Sequence, residues 1–129
     1  MSNQMPTAEQ ILEMMAKKLG GKENIPEAME YAKDVAPDII QQIAMSSKQS
    51  VGDENLPFDP KTANLIYLAA SLAMKDEECI KATLNAALNF GTTKEELLYV
   101  VKIVRHAANN GIIGAATPIF KVLAEQSQK

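Results

Sequence analysis

Cys79 is the only cysteine in this 129-residue chain, and that scarcity excludes an internal disulfide and any CxxC or cysteine-cluster metal site. A single thiol is compatible with a reducing compartment. Basic runs are missing too. The 13 Lys and Arg residues are interspersed among 16 Asp and Glu, for a net charge of -3, which leaves no case for nucleic acid or an anionic membrane as the main partner. The uncharged stretch Thr62 to Met74 is thirteen residues long, short of the roughly 20 needed to span a bilayer. Met1 to Thr7 is polar and lacks a basic segment followed by an apolar one, so no signal peptide is predicted. These absences predict a cytoplasmic location. There is no internal repeat, no low-complexity tract and no period-two alternation bounded by turn chemistry, so no sheet is expected. Gly20-Gly21 and Gly111-Ile112-Ile113-Gly114 lack the strand context of a phosphate-binding loop, and no cofactor is expected.

What is present reads as one globular domain over residues 1–129. Hydrophobic residues make up 47% and charged residues 22%, a composition able to build a core. Punctuation residues divide the chain into helical blocks. Thr7 with Gln10 makes a capping box, Ile11, Met14, Met15 and Leu19 follow at helical spacing, and Gly20-Gly21 stops the run. A second block starts near Pro26 and ends before Pro37, and a third runs from about Pro37 to Ser50. Val51 to Phe58, with Gly52 and Pro57, is the longest connection. Asp59-Pro60 opens an uncharged helix to Lys75. Asp76 caps the next, which runs to Phe90 and is closed by Gly91. Thr93 with Glu96 opens a helix expected to last to Asn109 or Asn110. Gly111 to Gln126 is helical in pattern, either kinked at Pro118 or beginning at Thr117-Pro118. The fold class is an all-α bundle of about six to eight helices.

Two helices carry more apolar surface than one neighbour needs. Leu65, Ile66, Leu68, Leu72 and Met74 point in several directions, and a helix apolar nearly all round is expected to be buried nearly all round. On the helix from Thr93, Leu97, Val100, Val101, Val104 and Ala108 form one stripe, with Tyr99, Ile103 and His106 nearly opposite. In a chain this short the pattern predicts a homo-oligomer.

Chemistry has few candidates. With Asp76 as N-cap, Cys79 takes the third helical position, where unpaired backbone N–H groups favour a thiolate. Asp76, Glu77 and Glu78 oppose this by raising the thiol pKa. The alternative is a small buried hydrophobe, as free cysteines usually are. His106 is the only histidine, beside Arg105, and reads as a surface or subunit-contact residue or as a general base with no visible partner. Asp76, Glu77 and Glu78 are consecutive, so they fan around a helix and complement its dipole rather than converge on a metal. The seven methionines are scattered core filler.

The ordered series Asp59-Pro60-Lys61-Thr62, an apolar helix, Cys79-Ile80, Asn85-Ala86-Ala87-Leu88 and Gly91-Thr92-Thr93-Lys94-Glu95-Glu96-Leu97 resembles the carboxymuconolactone decarboxylase and alkyl hydroperoxidase D-like superfamily. Ala36-Pro37-Asp38 is similar to its lead-in helix. The resemblance centres on residues 59–111. It implies an all-α bundle assembling as trimers or hexamers, and two chemistries: peroxide reduction through a redox-active cysteine pair (a peroxiredoxin-type antioxidant activity), or decarboxylation of a lactone dicarboxylate.

Set against the family's Cys-x-x-Cys-x-x-x-His pattern, Cys79 takes the second cysteine's place. Asp76 then falls where the first cysteine stands, Thr83 where the histidine stands, and Asn64 where the preceding helix carries a proton-relay glutamate. A dithiol mechanism needs a resolving thiol beside the nucleophile, so the resemblance implies that any resolving thiol comes from another Cys79 in the oligomer, from another protein or from a small thiol. Three readings stay open: a divergent thiol-dependent enzyme, a lactone decarboxylase-like lyase using Arg105, His106 and lysines such as Lys61, Lys81 and Lys102, and a non-catalytic oligomer. In the last, Asn64, Cys79 and Thr83 line a small ligand cavity if it is open, or serve structure if it is filled.

Overall fold

Short side chains turned back onto the backbone start four of the seven helices. The computed structural model describes residues 5–51 and 55–128; Gly52 of the expected loop and Met1 to Gln4 of the polar N-terminus lie outside the described residues. In α1 (Ala8–Leu19), Thr7 Oγ1 accepts from the Gln10 amide at 3.1 Å while Gln10 Oε1 accepts from the Thr7 amide at 2.9 Å. The helix stops at Gly20, whose φ of 86° suits a residue without a Cβ. A 3-10 turn, Lys22–Asn24, leads to α2 (Glu27–Val35), and Pro37 opens α3 (Pro37–Ser50).

Asp59 caps α4 (Pro60–Met74) by accepting from the Thr62 amide at 2.8 Å. Asp76 caps α5 (Glu77–Asn89), and a second capping box, Thr93 with Glu96, starts α6 (Lys94–Ala115). The last helix, α7, is Thr117–Gln126. The chain is all-α, with no strand among the described residues, and none of its described helices is long and apolar enough to cross a membrane.

One expectation is corrected. The sixth helix passes the expected stop at Asn109 or Asn110 and continues to Ala115. Gly111 sits in it without the positive φ of a terminator, and an interior glycine costs only about 1 kcal/mol. The break comes at Thr117-Pro118, with the proline in the first turn of α7. Within the chain α4 is covered on one side: Ala63, Asn64, Leu68 and Ser71 are buried, while Ile66, Tyr67 and Met74 are exposed.

The core has two parts. In the first, α1 packs on α3 and α5, and Ile11, Leu12, Leu19, Ile25 and Ala86 surround Ile40, which is completely buried. Asn89, at the end of α5, holds the end of α1 by donating to the carbonyls of Lys17 and Lys18, both at 3.1 Å. In the second, α4 lies against α5 and α6 over Ala63, Leu68, Ala87 and Val100. Of the expected α6 stripe, Val100 is buried, Leu97 and Val104 are half-buried, and Val101 and Ala108 are exposed. The α7 helix packs chiefly on α6.

Candidate functional site

The α4–α5 pair brings Asn64, Asp76, Cys79 and Thr83 into one neighbourhood. Asn64 and Thr83 are each 3% exposed. Asn64 Nδ2 donates to the Thr83 carbonyl at 3.0 Å, crossing from α4 to α5. Thr83 Oγ1 turns back along its own helix and donates to the Cys79 carbonyl at 2.7 Å. Both polar groups are therefore satisfied by backbone, as buried polar groups must be. They do not line an open cavity. Asp76 caps α5 with Oδ1, accepting the Cys79 amide at 3.2 Å; that backbone hydrogen bond holds its carboxyl below the usual range.

Cys79 is half-buried. Burial pushes its thiol pKa up, and the Asp76 carboxylate and the Glu78 charge act in the same direction. One neighbour opposes them. The Tyr67 hydroxyl lies 3.8 Å from Sγ and, donating to a thiolate, favours the charged form. Tyr67 itself is pushed up first by burial and then by its contact with Cys79. The sequence reading missed Tyr67. The signal was present: residues 64, 67, 68 and 71 fall on one face of a helix, and Ser71 joins that face, donating from Oγ to the Tyr67 carbonyl at 2.8 Å.

Other candidates lie elsewhere. His106 and Arg105 are exposed on α6, and the His106 ring contacts Asn110 one turn on, at 3.3 Å. Lys61 is paired with Glu96 at 3.0 Å, tying the start of α4 to the first turn of α6. Lys81 lies 3.6 Å from Glu78 on its own helix. These cations do not converge with Cys79. No group of three His, Cys, Asp or Glu residues among the described residues is arranged to hold a metal. Two surface hollows, of about 360 and 280 Å³, lie by α1–α2 and between the 3-10 turn and α5; neither is lined by Cys79.

Comparison with known proteins matches this arrangement to one family. The sequence model of the carboxymuconolactone decarboxylase family matches residues 49–121, which hold α4, α5 and α6. A similar protein from Methanocaldococcus jannaschii, described as uncharacterized, is 29% identical over 94 residues, covering 73% of this chain and 79% of its own length.

Proposed function

This chain belongs to the carboxymuconolactone decarboxylase family, and from that premise we propose that it is a divergent, single-thiol member that reduces peroxides slowly through Cys79 with an external thiol as reductant. The observation that carries this reading is the Tyr67 hydroxyl 3.8 Å from Sγ of a half-buried cysteine. Among the described residues it is the one protic side chain in contact with Sγ, placed to stabilise a thiolate where the resemblance sets the family's second cysteine.

The cycle balances without an internal partner. The thiolate sulfur attacks one peroxide oxygen, the O–O bond breaks, and water or an alcohol leaves after taking up a proton. Cys79 is left as a sulfenic acid. An external thiol condenses with it, releasing water and forming a mixed disulfide. A second external thiol then frees Cys79 and leaves as the external disulfide. Two electrons pass from two thiols to one peroxide. Because the Cys79 pKa is raised, little thiolate is present at neutral pH and turnover is slow.

The test is peroxide consumption in the presence of a small-molecule thiol at neutral and alkaline pH. The rate is expected to rise with pH and to be abolished by Cys79→Ser. An unchanged rate in that variant would sink the single-thiol reading. A second reading, a family scaffold without catalysis, draws on the filled site: Asn64 is bonded across to the Thr83 carbonyl, and the Thr83 hydroxyl to its own helix, where a cavity would have to be. It predicts no consumption above the uncatalysed rate at either pH. The lyase reading lacks a comparable observation, since Arg105 and His106 are exposed on α6.

A further inference from the structure

The two charges that act on the Cys79 thiol, Asp76 and Glu78, are both carboxylates. Glu77 stands between them, and all three are exposed at the start of α5. Against this part of α5 the preceding helix sets an uncharged group, the Tyr67 hydroxyl. The same helix forms one wall of the hollow of about 280 Å³ beside the 3-10 turn, where Glu23, Asn24, Glu78, Lys81, Ala82 and Asn85 meet. At about 100° per residue, Ala82 lies about 60° round the helix from Cys79, so this wall adjoins the face that carries the thiol.

The hollow is better supplied with anions than with cations. Lys81 lies 3.6 Å from Glu78 in an exposed pair, of a kind that holds its partners weakly in water. Glu23 has no ion-pair partner among the described residues. A thiol that resolves an oxidised Cys79 reacts as its thiolate, and so brings a negative charge to this acidic surface. An ammonium on the same small molecule cancels that charge, and a carboxylate doubles it.

We propose that the external thiol serving Cys79 is a cationic aminothiol, its ammonium held by Glu23 and Glu78 in the hollow while its sulfur reaches Sγ. This rests on the single-thiol reading above and names the class of reductant which that reading leaves open. The aminothiol's thiolate attacks Sγ of the sulfenic acid, the S–O bond breaks, and hydroxide leaves as water after taking up a proton. A second aminothiol attacks the sulfur of the first, the S–S bond breaks, and Cys79 departs as the thiolate while the external disulfide is released.

The test uses the native full chain loaded at Cys79 with a thiopyridyl group from dithiodipyridine, a leaving group in the place of the sulfenic hydroxyl. Release of thiopyridone is followed with cysteamine, mercaptoethanol and mercaptopropionate, which are cationic, neutral and anionic. Each rate is divided by the same thiol's rate on an uncharged small pyridyl disulfide, which removes intrinsic nucleophilicity. The normalised rates are expected to fall in that order, spanning about tenfold in dilute buffer. Near 1 M salt, where the Debye length is about 3 Å, the span is expected to close to about twofold.

Glu23→Gln combined with Glu78→Gln is expected to narrow the span in dilute buffer to about threefold, with Asp76 and Glu77 still in place. Cys79 does not titrate in the loaded protein, so these substitutions act on the incoming thiol and not through the Cys79 pKa. Equal or reversed rates overturn the proposal, and so does a span that survives molar salt or the double variant. The salt series needs no variant, so the result does not depend on the folding of one. No peroxide enters the assay: loss of selectivity overturns this proposal alone, whereas absent peroxide consumption overturns the reading beneath it. A native Cys79 that cannot be loaded overturns both.

Discussion

At Cys79, two electrostatic effects that are both visible in the sequence have opposite signs. The start of α5 favours a thiolate, and Asp76 with Glu78 disfavours one. Burial is the largest influence and sides with the carboxylates, so the pKa moves up despite Tyr67. Iodoacetamide reacts with the thiolate, so the native protein is expected to alkylate more slowly near neutrality than the unfolded chain. Its rate–pH midpoint is expected to lie above the unfolded one. Asp76→Asn removes the charge while retaining a capping oxygen, and is expected to bring that midpoint down. A native midpoint at or below the unfolded value would contradict the assignment. Asn64 and Thr83 show the other side of the same site. Asn64 and Thr83, which the resemblance sets against a proton-relay glutamate and a histidine, bind backbone at 3.0 and 2.7 Å. Their spacing from Cys79 was legible in the sequence, but not that their polar atoms were already satisfied.

Helix boundaries follow from local chemistry, and most were legible because a cap is a contact within four residues. Thr7 with Gln10, Asp59 with Thr62, and Thr93 with Glu96 all close in the structure as their spacing suggests. Lys75 is the exception to cheap local geometry. It ends α4 with φ 57° and ψ 36°, the left-handed region, and is the only described non-glycine residue with positive φ. That conformation costs an L-residue about 1–2 kcal/mol. Lys75→Gly is therefore expected to stabilise the fold by about 0.5–1 kcal/mol, after the larger unfolded-state entropy of glycine is deducted. Denaturant titrations of both proteins at equal concentration measure the difference, and a lower stability in the glycine variant would refute it. The end of α6 was misread for a related reason. Asn110-Gly111 offers a left-handed exit but does not enforce one, whereas Thr117-Pro118 removes an amide hydrogen and forces a new start.

Across the whole molecule, the described chain has eleven buried hydrophobic side chains, and Ile40 is the one large side chain buried completely. A core this small leaves a good part of the apolar surface unsatisfied inside one chain. If a homo-oligomer of the kind expected from the sequence covers that surface, folding is linked to association, and the apparent melting temperature is expected to rise with protein concentration over about a hundredfold range. Differential scanning calorimetry at several concentrations reads this directly. A concentration-independent transition would argue against coupling of folding to assembly.

The sequence by itself determined the all-α class, nearly every helix start, the family resemblance and the place of Cys79 one turn into α5. All of these depend on residues a few positions apart, where spacing alone fixes which groups can meet. Only the tertiary structure decided which way the Cys79 pKa moves, that Tyr67 stands beside it, that Asn64 and Thr83 fill their own site, and that Asn89 holds the end of α1. These outcomes depend on burial and on partners 12 to 72 positions away. Such partners meet only when helices pack, and no periodicity within one helix specifies the face its neighbour will cover.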